Sequence, residues 1–146
     1  MNASSQAITL ELASKIAHLA VLFRAEFPGS TIDLSPWLTD DETQSQLDPH
    51  SIDLNIYCPK YVKMLACQCV LVQVYFSENL LLSTCQLRSI YACGYMFTDQ
   101  QWEFSTEDWA FVGISTPQIE YQVKFQNLIN NIFELFKHPN QVNTSE

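Results

Sequence analysis

Two cysteines, Cys67 and Cys69, stand one residue apart inside the apolar run MLACQCVLVQVYF. Such a pair can ligate a metal, cycle as a redox couple or pack as small apolar side chains. Read as an extended strand, the run projects both sulfurs from one face, about 7 Å apart. That span is long for a disulfide but suits two ligands of one zinc ion, which then needs two more. Cys93 joins them only if residues 63–76 and 86–97 pair in the right register, since a one-residue slip sends it to the other face. No Cys-x-x-Cys occurs, Cys58, Cys85 and Cys93 form no second close pair, and His18, His50 and His138 are dispersed. Free cysteine is among the most buried residue types. Core packing is therefore the favoured reading, and Cys67, Cys69 and Cys93 are metal candidates only on condition that their sulfurs converge. No cofactor and no catalytic residue is assigned.

The second group with chemical potential is acidic. Asp40, Asp41 and Glu42, with Asp48 and Asp53 downstream, make a dense negative patch beside Trp37. The pattern DDETQSQLD lacks the alternating oxygen ligands, glycine and closing glutamate of a calcium loop. It reads first as a solvated helix start, where carboxylates suit the helix dipole. Its functional alternative is a docking patch for a basic partner, with Trp37, Asp40, Asp41 and Glu42 as contact candidates. Glu107 and Asp108 form a second acidic pair.

The elements that position these groups follow from periodicity. Ile8, Leu12, Ile16, Leu19, Phe23 and Phe27 recur at helical spacing, predicting a helix over 5–27 that ends at Pro28-Gly29. Glu11, Lys15 and His18 form its polar stripe. Ser35-Pro36 suggests a short helix near 36–46, with an acidic loop as the rival. Strands are expected over SIDLNIYC, over 63–76 and over 86–97, with a turn at Ser77-Glu78-Asn79 between the last two. A second hairpin turns near Asp99-Gln100, and a short strand at Trp109–Gly113 follows. Thr116-Pro117, or Ser115 with Gln118, opens a final helix carrying Tyr121, Phe125, Leu128, Ile129, Ile132 and Phe136 on one stripe.

These elements predict an α+β fold of order α-(α)-β-β-β-β-α. An antiparallel sheet of four to five strands is flanked by N-terminal and C-terminal helices. Residues 1–146 read as one domain, with an ordered core over about 5–138 and a frayed tail at 139–146. Residues Val70, Val72, Val74 and Phe76 face one way in the second strand, and Cys67, Cys69, Leu71 and Tyr75 the other. A sheet with one wet face alternates apolar and polar residues, and this one does not, so some cover is expected on both faces. The long helices suit one face; the segment near Trp37 or a partner subunit suits the other.

Composition narrows the function classes. The chain has 7 basic and 16 acidic residues, a formal net charge of −9, and 47% hydrophobic residues. This balance is globular, and its sign opposes nucleic-acid backbones and anionic membranes. The N-terminus lacks a basic leader region and no segment reads as a membrane span. With five cysteines, that favours a reducing, cytoplasmic setting.

In size, acidic balance and coarse element order, over most of the chain, the profile is similar to that of small acidic secretion chaperones of the type III class. It departs from them in showing consecutive strands without an inserted helix. The resemblance implies dimerisation and the binding of extended client segments, and it assigns no site residue. The residues themselves favour a non-enzymatic protein-binding adaptor or chaperone-like module, which binds a partner or self-associates. The alternative is a small-molecule binder with a pocket between the sheet and the C-terminal helix.

Overall fold

The computed structural model describes residues 1–140. Its centre is a six-stranded antiparallel sheet in which each strand pairs with its neighbours in sequence: β1 (Thr31–Asp33), β2 (Ser51–Tyr57), β3 (Cys69–Phe76), β4 (Leu87–Met96), β5 (Asp99–Ser105) and β6 (Ala110–Gly113). The α+β class is as expected. The strand count rises by one because Thr31–Asp33, too short to show a period, pairs with the end of β2.

Two long helices, α2 (Leu10–Glu26) and α5 (Ile119–Phe136), supply the apolar cover. From α2, Leu12, Ile16, Leu19 and Phe23 are buried; from α5, Phe125, Leu128, Ile129, Ile132 and Phe136 are. The sheet answers with Ile52, Leu54 and Ile56 of β2, Val70, Val72, Val74 and Phe76 of β3, and Trp102 and Phe104 of β5. Phe104, Phe111, Trp102 and Phe125 form an aromatic cluster with ring centroids 4.9–5.7 Å apart, mostly edge-on, the arrangement ring quadrupoles favour.

Several boundaries move for local reasons. The helix expected over 5–27 is two: α1 (Ala3–Gln6) and α2. Thr9 interrupts them, because its hydroxyl caps α2 by accepting from the Leu12 amide at 3.1 Å. Ile8 consequently leaves the apolar stripe and is exposed. Lys15, placed on the polar stripe, is only 6% exposed and its Nζ donates to His138 O at 2.6 Å. Burial lowers its pKa, with Glu11 opposing the shift.

Ser35-Pro36 does not start a helix. The short helix α3 (Asp41–Gln46) begins later, where the Asp40 carboxylate accepts from Thr43 N. The strand expected from residue 63 begins at Cys69, because Pro59–Tyr61 forms a 3-10 turn and Val62–Leu65 a short helix, α4. A helical turn is thus inserted between strands where none was expected. The β4–β5 turn falls at Phe97-Thr98 rather than Asp99-Gln100, with Phe97 at φ 56°, the positive φ that tight hairpins demand. The loop from β3 to β4 spans residues 77–86, one residue longer than the expected strand bounds leave.

Helix α5 starts at Ile119 without a side-chain cap; the Gln118 amide instead donates to Met64 O at 2.9 Å. At the far end Pro139 is buried and Asn140 Nδ2 donates to Leu82 O at 3.0 Å. The first two residues of the expected frayed tail are therefore anchored, and 141–146 lie outside the described residues.

Gly94 and Trp102 occupy facing positions of β4 and β5, and a Cβ at residue 94 would lie 2.3 Å from Trp102 Cε2. Gly94→Ala must displace the indole, and overpacking of this kind costs about 3 kcal/mol. Urea unfolding should show that loss with the slope unchanged. Phe125→Ala, which opens a cavity beneath the same indole, should cost about 3–5 kcal/mol, and thermal melts would register it as a large drop in Tm.

Candidate partner-binding surface

Both long helices lie on one side of the sheet, leaving the other side without a long helix. On that open side register brings together Asn55, Leu71 and Cys93, and next to them Gln73 with Tyr91 and Cys69 with Tyr95. Leu71, Gln73, Tyr75, Tyr91 and Tyr95 are half-buried, shielding one another rather than being covered. A thiol–phenol–carboxylate chain runs across this face. Cys93 Sγ donates to Tyr91 Oη at 2.7 Å, and Tyr91 Oη donates to Glu103 Oε2 at 2.8 Å. Burial first, then these contacts, pushes the Tyr91 phenol up, and burial pushes the Cys93 thiol up. Both groups stay protonated at neutral pH, so the chain orders side chains and offers no nucleophile.

One corner of the open face is closed. Asp53 points there and is 1% exposed. Its Oδ2 accepts from the Met1 ammonium at 2.8 Å and from Trp37 Nε1 at 2.6 Å. The ammonium also reaches Ser51 Oγ and Asp48 O. Asn2 holds Trp37 from both sides, Oδ1 accepting from its amide at 2.9 Å and Nδ2 donating to its carbonyl at 3.1 Å. The segment near Trp37 thus covers the second face, as anticipated, but only at this corner.

The candidate contact residues divide on this evidence. Trp37 is tied into the Asp53 corner. Asp40 caps α3, and hydrogen bonds from Thr43 hold its carboxyl below the usual range. Asp41 and Glu42 stand exposed in the first turn of α3. Asp53 is absent from the surface patch to which its sequence neighbours assign it; an acid alternating with Ile52 and Leu54 in a strand was the signal that it faces away from the main core.

The cysteines are parted by the shift in strand start. Cys67 precedes β3 and packs in the helix-covered core near Trp102, whereas Cys69 sits on the open face opposite Tyr57 and Tyr95. The expectation of a shared strand face fails because α4 ends with Ala66 at φ 57°, which turns the chain before the strand begins. Cys93 lies opposite Leu71, and the Cys85 thiol donates to Glu78 O at 3.4 Å. Among the described residues no three His, Cys, Asp or Glu side chains are placed to hold a metal.

Burial pushes the Cys58 thiol up to about 11 and the Cys67 thiol up to about 12, from an ordinary 9.0. Neighbouring thiols add to both shifts, while contacts with Ser30 and Trp102 respectively oppose them.

Concavities lie elsewhere. A groove of about 530 Å³ runs along the outer side of α2, lined by Leu10, Lys15, Ala17, His18, Val21 and Leu135 among others. Between sheet and helices, the space bounded by Phe23, Phe27, Ile56, Leu65, Val70 and Phe125 has no room for a water molecule. No described helix is long and apolar enough to cross a membrane.

The chain belongs to a family described as a domain of unknown function, whose model matches residues 4–138. The match runs from α1 past the end of α5. No curated protein and no solved structure matches the chain.

Three outcomes are expected. Trp37→Phe removes one donor from the buried Asp53 carboxylate and should cost about 1.5–3 kcal/mol, measured by chemical denaturation; a neutral result would return Trp37 to the list of contact residues. Brief alkylation of the native protein at pH 8, read by mass spectrometry, should modify Cys69 first, because Cys58, Cys67, Cys85 and Cys93 are buried. The sign of the pH dependence follows from the raised thiols. The folded state keeps the Cys58 and Cys67 protons more tightly than the unfolded chain does. Their contribution to stability is whole below pH 9 and is lost as pH rises from 9.0 through about 11 and about 12.

Proposed function

We propose that the protein is a non-enzymatic, cytoplasmic protein-binding module, an adaptor or chaperone-like factor that receives a basic segment of a partner protein. One observation carries this reading: basic residues are missing from the open face and from a long stretch of the chain that carries acids. The paired rows of the open face contain no lysine or arginine. Six of the seven basic residues fall on the helices, their ends or the 3-10 turn, namely Lys15, Arg24, Lys60, Lys63, Lys124 and Lys137. The seventh, Arg88, sits near the bulge between β3 and β4. Between Arg88 and Lys124 the chain carries Asp99, Glu103, Glu107, Asp108 and Glu120 and no basic residue. A stretch that carries acids and no bases steers oppositely charged partners and rejects like-charged ones, which favours a basic protein segment over a nucleic acid. The packed sheet–helix interface weighs against the small-molecule alternative, since a binding pocket of ordinary size needs hundreds of Å³.

Fluorescence anisotropy with labelled lysine-rich and glutamate-rich peptides tests the reading. Only the former should bind, and affinity should fall steeply as salt rises. Replacing exposed Glu107 and Glu120 together by lysine should weaken binding about tenfold. If lysine-rich and glutamate-rich peptides bind alike, or neither binds at low salt, the reading is wrong.

A further inference from the structure

The two edges of the sheet are treated differently. At the β1 side, the Ser4 amide donates to Leu34 O at 2.9 Å, and the Asp53 amide donates to Met1 O at 2.9 Å where β2 extends past β1. The Ser4 and Ser35 hydroxyls are hydrogen-bonded to each other, and Pro36 follows. The chain's own first residues thus cover the end of β1 and the overhanging part of β2, leaving only Ile32 of β1 facing outward, and the proline adds a further block to strand pairing.

The β6 edge carries no such device. Ser105 O accepts from Trp109 N and Gln101 O accepts from Ser115 N, so the odd-numbered peptide groups of β5 face β6. Register places Glu103 opposite Val112 and Ser105 opposite Ala110. By the alternation of an antiparallel ladder, the N–H and C=O groups of Phe111 and Gly113 then point outward. No hydrogen-bond partner for them is found among the described residues. The strand sequence AFVG contains no proline or lysine to discourage pairing.

Beside this edge stands an apolar ledge. Ile119 and Val123 of α5 are 73% and 50% exposed. They share a helical side with Gln126, whose Nε2 donates to Trp109 O at 3.0 Å and so ties that side of α5 to the start of β6. On the strand, Val112 is 58% exposed. The result is a slot with unpaired peptide groups as its floor and aliphatic side chains along one wall. Two acids flank it, Glu107 in the β5–β6 turn and Glu120 in the first turn of α5, while Glu103 on the open face of β5 is engaged by Tyr91.

We propose that β6 is a strand-addition site. An extended partner segment with β-branched residues alternating with lysine or arginine pairs with Phe111 and Gly113, rests its apolar side chains on Ile119 and Val123, and meets Glu107 and Glu120 with its cations. The proposal rests on the basic-partner reading above and adds where and how the partner docks. A second copy of this chain is the poorer occupant, because two β6 edges would bring their flanking glutamates together.

The test uses the full chain and a set of short capped peptides in which valine or threonine alternates with lysine or arginine. Members of the set should bind. N-methylation of the alternate backbone nitrogens that pair with β6 keeps charge and composition but removes the pairing, and should weaken binding about tenfold or more. Ile119→Lys with Val123→Lys alters two exposed side chains and should do the same, with the melting temperature unchanged. Equal binding by methylated and unmethylated peptides, or no effect of the double variant, overturns strand addition while leaving the basic-partner reading standing. Failure of every member of the set to bind at about 1 mM overturns it as well. So does a dimer, seen by light scattering, that the double variant dissolves, since that makes a second copy the occupant.

Discussion

The contact on which the architecture turns is the indole of Trp102 laid over Gly94. Any side chain at residue 94 would collide with the ring, so the glycine is what lets β5 carry its largest residue against β4. From there Trp102 reaches three further elements. Its Nε1–H donates to Leu65 O at 2.8 Å at the end of α4, and its ring packs edge-on against Phe111 of β6 and Phe125 of α5. The hydrogen bond satisfies a polar group that would otherwise be costly in so apolar a place. Sheet, helical turn and covering helix are thus referred to one side chain, and so is the slot between β6 and α5.

Much of this was legible in the sequence because it rests on period. The stripe Phe125–Phe136 and the rows Ile52–Leu54–Ile56 and Val70–Val72–Val74 are repeated patterns, and each is buried as its spacing requires. The parts that escaped are those set by single side chains or by tertiary pairing. Thr9 breaks the first helix by capping the second, a local hydrogen bond that apolar spacing does not register. Thr31–Asp33 is a strand only because β2 offers it an edge. The left-handed Ala66 separates Cys67 from Cys69, and no residue-type preference announces an alanine there. Lys15 reads as surface by type, and its burial depends on a carbonyl from the far end of the chain.

The candidate surface was legible by sign rather than by place. Acidity was visible, and the eye went to Asp40, Asp41 and Glu42, which are contiguous. Contiguity in sequence mostly reflects the needs of α3, since Asp40 is its cap. The acids beside an apolar, unpaired strand edge, Glu107 and Glu120, belong to a turn and to α5, and only the fold brings them to that edge. The same holds for Trp37, whose indole donates to a carboxylate sixteen residues away in sequence. An aromatic beside acids looks like a contact residue until the partner of its N–H is known.

The meander has a consequence for how the molecule assembles. Every ladder joins strands adjacent in sequence, so the sheet can grow by successive short loop closures, each with a small entropic cost. The contact between α2 and α5 is different: Lys15 and His138 are 123 residues apart. Closing that distance last leaves a nearly finished sheet whose apolar face, shielded in part by α2, is otherwise bare until the C-terminal helix arrives. For this chain the hazardous moment in folding, or in synthesis, is the interval before its final eighteen-residue helix lies down, and aggregation is expected to compete there rather than during strand pairing.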